Sequence, residues 1–271
     1  MRRSTTSAAT DRARSRRRVA ALLGAEALCA ALLIGGAYPA APGPPALAAT
    51  PPPSTEIAAP SPPLRTLITP DGRRVQLIDL GGGAASLLDR VAAELPSAEH
   101  TVSAFWGPAW SRDIPIVVAG SPEQFAVLAG AGPDTAATTT AERITFSPAA
   151  AAMDSNDLRI VLRHELFHFA ARADTAADAP VWLTEGVADY VGRPAPAGRV
   201  EMPARLPTDA ELGIPGPQRS QAYDRAWQFA TFVAQSYGPQ TLRRLYVAAC
   251  APGHPDPATA VRTVLGIDLP A

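Results

Sequence analysis

The order of patterns along this chain predicts an α+β fold: runs with strand-like alternation come first, and apolar residues at helical spacing come later. About 200 residues of ordinary globular composition follow a biased N-terminal stretch, a length that suits one domain with a sizeable core. No internal repeat interrupts it.

Arg74 to Leu80 alternates toward Val, Leu and Ile and reads as a strand. Gly81-Gly82-Gly83 then opens a helix that is expected to run to Leu95 and stop at Pro96, after which Ser97 can cap a second short helix to Trp106. Ile114 to Ala119 has the composition of a buried strand, Ser121-Pro122-Glu123 that of a helix start, and Arg143 to Phe146 is a third short strand. Gly130 to Thr140, rich in Gly, Ala and Thr, is expected to be a surface loop. Asp154 or Ser155 can cap the next helix, in which Leu158, Leu162, Leu166 and Phe169 form a core stripe. Pro180 stands at the first turn of a further helix, Val181 to Val191, where its missing N–H costs nothing. Residues 193–220 are proline-rich with little periodicity. Helical spacing returns from Tyr223 to Tyr237 and from Pro239 to Ala249, with Gly238 as the stop between them.

The N-terminal stretch has two parts, a leader over residues 1–38 and a Pro/Ala-rich linker over 39–63, with the globular domain expected over 64–271. Residues 1–18 carry seven arginines and one aspartate, and Val19 to Ala37 is apolar except for Glu26. That charge pattern favours insertion with the arginines inside, so the rest of the chain should face outward, secreted or anchored by residues 19–37. Ten prolines between Pro39 and Pro63 make an extended spacer. From Leu64 onward there are 17 arginines, no lysine and 22 acidic residues, a mildly acidic balance that argues against a nucleic-acid partner. Membrane contact is expected only through the N-terminal apolar segment, and the oligomeric state stays open. Cys250 is the one cysteine in that region, so a metal there must be held by His and carboxylate.

The chemistry is concentrated in His164-Glu165-Leu166-Phe167-His168. On a helix His164 and His168 lie about 6 Å apart along the axis and roughly 40° apart around it, so both imidazoles can chelate one ion. Glu165, about 100° further round, can reach a water at the metal without ligating it, the position of a general base. Downstream, Trp182-Leu183-Thr184-Glu185-Gly186 offers Glu185 as a third ligand. Three protein ligands leave one tetrahedral position for water, the arrangement of a catalytic zinc site. Asp189, one turn beyond Glu185, can accept the outer N–H of His164 and fix its tautomer. No Gly-x-Ser-x-Gly elbow is present, and the Gly81 run lacks both the third glycine of a dinucleotide turn and the lysine of a phosphate loop.

These residues resemble the gluzincin metallopeptidases, and among them the peptidase-MA-like domains that pair a His-Glu-x-x-His helix with a Trp-Leu-x-Glu-Gly helix. The resemblance covers His164 to His168 and Trp182 to Tyr190, and more loosely Ile114 to Gly130 and Tyr223 to Tyr246. It implies zinc held by His164, His168 and Glu185, Glu165 as catalytic base, and a peptide or protein substrate. It also implies a zincin-like architecture, a small mixed-sheet lobe on a helical lobe with the metal between, and an edge strand beside the metal, here Arg143 to Ser147, that binds extended peptide. Tyr223 is the candidate oxyanion donor, with His254 as an alternative. The 16 residues between His168 and Glu185 fall slightly short of the aminopeptidase spacing, and the Gly-x-Met-Glu-Asn motif is absent, so aminopeptidase specificity does not carry over. Two rival expectations stand beside the peptidase: a catalytically silent zinc-binding domain that recognises a surface protein or polymer, and a structural surface protein.

Overall fold

The computed structural model describes residues 64–269 apart from Gly82 and Pro133; the leader, the apolar run of residues 19–37 and the proline-rich linker lie outside the described residues. The fold is α+β, with a five-stranded mixed sheet and a larger helical part. Among the described residues no helix is long and apolar enough to cross a membrane.

The sheet comprises β1 (Leu64–Ile68), β2 (Arg74–Asp79), β3 (Asp113–Val118), β4 (Ala137–Thr139) and β5 (Ile144–Phe146), in the order β1-β2-β3-β5-β4. The three inner strands are parallel, and the two outer ones pair antiparallel to their neighbours. β2 shows the alternation expected of a strand with one face in the core, with Val75 and Leu77 fully buried. β1 escapes sequence detection because most of it is exposed and its residues do not alternate. β4 lies inside the stretch expected to be a surface loop. Its Ala-Thr-Thr composition hides a segment that is mostly buried and pairs Thr138 with Thr145. Consequently β5 is flanked on both sides, and the strand expected to offer a peptide-binding edge is not one: β4 is.

The helices are α1 (Ala85–Trp106), α2 (Pro122–Ala129), α3 (Ser155–Ala171), α4 (Val181–Gly192), α5 (Asp209–Gly213), α6 (Pro217–Tyr237), α7 (Pro239–Cys250) and α8 (Pro257–Leu265). The expected break at Pro96 does not occur, and Ser97 caps nothing: α1 runs through both. Pro96 is exposed, so the hydrogen bond it cannot make is lost on the wet side while Leu95, Ala98 and Val102 keep the inner side packed. Ser97 instead accepts a hydrogen bond from Arg163 of α3 at 2.9 Å. Elsewhere the caps are where the residue types place them. Ser121 accepts from the backbone of Gln124, and Asp154 accepts from the backbone of Asn156 and Asp157.

α3 is the central helix, packed between α1 and α4 and touching β4. Its stripe of Leu158, Leu162, Leu166 and Phe169 is buried as the spacing predicts, and Ile160, Val161 and Phe167 bury the other faces. α4 approaches its two neighbours through glycine. A Cβ on Gly186 would stand 2.5 Å from the Ala226 carbonyl oxygen of α6, and one on Gly192 would stand 2.8 Å from the Ile160 carbonyl oxygen of α3. Only hydrogen fits at either point, and this draws Glu185, the neighbour of Gly186, close to the histidine-bearing face of α3.

Candidate metal centre

The helical period brings His164 and His168 together on α3, and α4 delivers Glu185 to the same point. His164 Nε2 and His168 Nε2 are 3.0 Å apart, and the Glu185 carboxylate oxygens lie 3.3 Å from the first and 3.5 Å from the second. Three ligands at 2.0–2.1 Å on the corners of a tetrahedron around one zinc stand about 3.3–3.4 Å from each other. The contact between the imidazoles and each imidazole's contact with its nearer Glu185 oxygen, Oε2 for His164 and Oε1 for His168, are of that order. Glu185 Oε2 is buried and accepts no hydrogen bond, an orphaned anionic oxygen turned toward His164, while Oε1 faces His168. Two nitrogens and one carboxylate oxygen, with no thiolate, suit zinc. Among the described residues this is the one cluster of three such side chains able to hold a metal ion.

A chain of contacts continues behind His164. Its Nδ1 donates to Asp189 Oδ1 at 3.0 Å, leaving the Nε2 lone pair free to face the centre. Asp189 is fully buried and pairs through Oδ2 with Arg193 at 2.5 Å, and Arg193 reaches Asp224 of α6 at 2.7 Å. Burial alone would depress the His164 pKa, but Asp189 and Glu185 outweigh it and push the imidazole up to about 10. Burial likewise opposes the charged form of Glu185, and the two histidines prevail, holding its carboxyl below the ordinary carboxylate range. The carboxylates of Asp189 and Glu185 thus favour a cation at this point of the pocket.

Glu165, 1% exposed, faces away from the core stripe toward the sheet. The Thr139 hydroxyl lies 2.8 Å from Glu165 Oε2 and 3.0 Å from the Glu165 backbone oxygen, so its single proton serves one of them at a time. Thr139 ends the edge strand β4, and it was not visible as a site residue because nothing in the sequence joins it to α3. Arg193, by contrast, stands four residues after Asp189 and was legible from spacing alone.

A cavity of about 110 Å³ opens onto the centre between the sheet edge and the helices, with Thr139, His168, Arg172 and Glu185 among its walls. Thr175 also lines it, and its hydroxyl lies 2.9 Å from that of the buried Tyr246. Tyr223 sits in α6, 2% exposed and packed in the core, and is not one of the lining residues. His254 is near Asp178, 3.6 Å away, beyond α7 and off the cavity wall. Cys250 is a free, buried thiol whose pKa burial pushes up to about 12, an inert core residue.

No protein-family model matches the chain, and no curated protein matches it. Solved structures do. A mutant M1 zinc metallopeptidase from Deinococcus radiodurans is 18% identical over 76% of this chain and 50% of its own length, with a TM-score of 0.44. A mutant two-domain M1 zinc metallopeptidase bound to L-tryptophan is 18% identical over 76% of this chain and 49% of its own, with a TM-score of 0.49. A mutant of the Deinococcus radiodurans enzyme bound to a Tyr-Ser-Ala substrate is 19% identical over 78% of this chain and 49% of its own, with a TM-score of 0.43. The chain spans about half the length of each of these structures.

Proposed function

We propose that this chain is a zinc-dependent peptidase acting outside the cytoplasmic membrane, with His164, His168 and Glu185 holding the metal and Glu165 as general base. The observation that carries the reading is the convergence of two imidazole nitrogens 3.0 Å apart on the two oxygens of one buried carboxylate, at 3.3 and 3.5 Å, with a second buried carboxylate one residue along the helix. Zinc held by His164, His168 and Glu185 would supply a water whose pKa is near 7 instead of about 15.7, and a Lewis acid for the substrate carbonyl. Glu165 takes the proton of the attacking water and passes it to the leaving amine nitrogen. Thr139 holds that carboxylate at the edge of the sheet, where β4 is also the strand placed to pair with an extended peptide. Asp189 keeps His164 in the tautomer that presents Nε2. Tyr223 is our candidate for stabilising the oxyanion. The extracytoplasmic setting rests on the arginine-rich leader and the apolar run behind it.

The test is hydrolysis of a peptide library by the zinc-loaded full chain. Glu165→Gln should keep its zinc and lose about 10²- to 10⁴-fold in rate, while His168→Ala should lose both zinc and activity. Unchanged cleavage by zinc-bearing Glu165→Gln would sink the peptidase reading and favour a silent zinc-binding domain. Tyr223→Phe should lower kcat by about 10²-fold at full zinc content. An unaltered kcat would make it a core residue only.

A further inference from the structure

The geometry points to Arg172 as the residue that recognises a substrate carboxylate beside the cleaved bond, and to the C-terminal carboxylate of a short peptide as the group it takes. This deepens the peptidase reading and rests on it. Arg172 closes α3 and still has helical backbone angles, φ −55° and ψ −41°. Four residues beyond His168, it lies about 6 Å further along the same helix face, roughly 40° round. It lines the cavity that His168 and Glu185 line, and it supplies the single guanidinium on that wall. The side chain is exposed and has no carboxylate partner among the described residues. Glu185, the other charged group on the wall, faces the two imidazoles instead.

Distance selects where the carboxylate sits on the substrate. An extended chain advances about 3.3–3.6 Å per residue, so a carboxylate one or two residues past the reacting carbonyl falls about 3.5–7 Å from it. The helical step from His168 to Arg172 is of the same order, and the long arginine side chain spans the remainder. Size selects the kind of carboxylate. The cavity, about 110 Å³, is well below the 300–1,000 Å³ of ordinary small-molecule pockets, and Ala176, Ala179, Val181 and Thr184 give it short walls. A small terminal residue with its main-chain carboxylate fits there better than an internal segment carrying a long acidic side chain. A guanidinium is suited to the task, since its planar fork meets both carboxylate oxygens at once.

Calorimetric titration of the zinc-loaded full chain carrying Glu165→Gln, which prevents turnover, tests this directly. The ligands are acetyl-Ala-Ala, its C-terminal amide, and acetyl-Ala-Asp amide. The free acid should bind at least about tenfold more tightly than either amide. Adding Arg172→Ala should bring the acid-to-amide ratio close to one, and Arg172→Lys should restore part of it. In the otherwise unaltered protein, cleavage of a matched acid and amide pair should show the same ratio in kcat/KM. An aspartyl amide that binds as well as the free acid overturns the C-terminal assignment. A preference that survives Arg172→Ala, no preference at all, or no binding of any ligand overturns the role of Arg172. Peptide hydrolysis without acid preference leaves the peptidase reading standing and removes this inference. Acid preference in binding with no hydrolysis of any peptide removes the peptidase reading, and leaves Arg172 as a carboxylate-binding residue with no bond cleaved beside it.

Discussion

Arg73 and Glu185 are both charged groups buried in this molecule, and their surroundings resolve that burial in opposite ways. Arg73 is fully buried at the edge of the sheet lobe. Its guanidinium stacks over Trp110 at 3.6 Å, donates to the carbonyls of Pro108 and Ser111, and pairs with Asp71 and Glu99. Positive charge there meets negative charge and aromatic face within the protein. At Glu185 the neighbours are two imidazoles with lone pairs of their own, and one carboxylate oxygen has no donor. Within the protein that cluster balances only by holding a proton between its members. The lesson is that a buried charge is structural where fixed opposite charges face it, as Asp71 and Glu99 face Arg73, and points to a ligand where its neighbours are themselves ligating groups, as at Glu185.

Removing Arg73 should have the largest effect on folding. Arg73→Ala strands Glu99 and Asp71, and the urea midpoint should fall by the equivalent of about 3–5 kcal/mol. Zinc should stabilise what remains as it does the parent, by about 2.7 kcal/mol at a hundredfold excess over Kd. Glu185→Gln should show the mirror image, a smaller loss without zinc and no stabilisation on adding it. Equal losses and equal zinc responses in the two variants would erase the distinction between the clusters.

Asp189→Asn should be next. It removes the charge that orients His164 and should weaken zinc binding about 10- to 100-fold in a competition titration, with little change in far-ultraviolet dichroism. Undiminished affinity would mean that Arg193 and Asp224 hold α4 in place without it.

The smallest effect, counted per pH unit, concerns protons. The His164 pKa in the folded, zinc-free protein is pushed up to about 10, above its ordinary 6.5. The protonated ring's pairing with Asp189 and Glu185 therefore stabilises the zinc-free fold fully below pH 6.5 and fades as pH rises through about 10. Zinc needs the same ring unprotonated, so its Kd should fall by up to about tenfold for each unit across that window. The slope should be shallower in Asp189→Asn. A flat profile between pH 7 and 9 would contradict a proton held between these residues.

Most of the centre could be read from the sequence because one helix repeat dictates it. Residues four apart on α3 and on α4 share a face whatever surrounds them, which is why His164 with His168, and Glu185 with Asp189, come out adjacent. Groups that arrive from another lobe carry no such signature. Thr139 reaches Glu165 from a three-residue strand whose alanine and threonines resemble a loop, and with that strand hidden β5 looks like the sheet edge that is in fact β4. Pro96 failed as a stop signal because α1 is held by its packing against α3 rather than by local propensity. α8 has ends of the expected residue types, an Asp256-Pro257 start and a left-handed Gly266 stop, and is short, nine residues. α5 was hidden by its brevity, although Thr208 and Glu211 form a complete capping box.

The hydrogen-only contacts at Gly186 and Gly192 bear on how this protein can be re-engineered. Because main chain rests on main chain at both places, the spacing of Glu185 from the two histidines is fixed by the scaffold, and the proposed chelating set would have no side-chain cushion to absorb a larger ion. Retuning the metal preference of the proposed site would then be a matter of exchanging donors on α3 while α4 stays as it is, and even one methyl group at position 186 would shift the Glu185 carboxylate away from the two imidazoles.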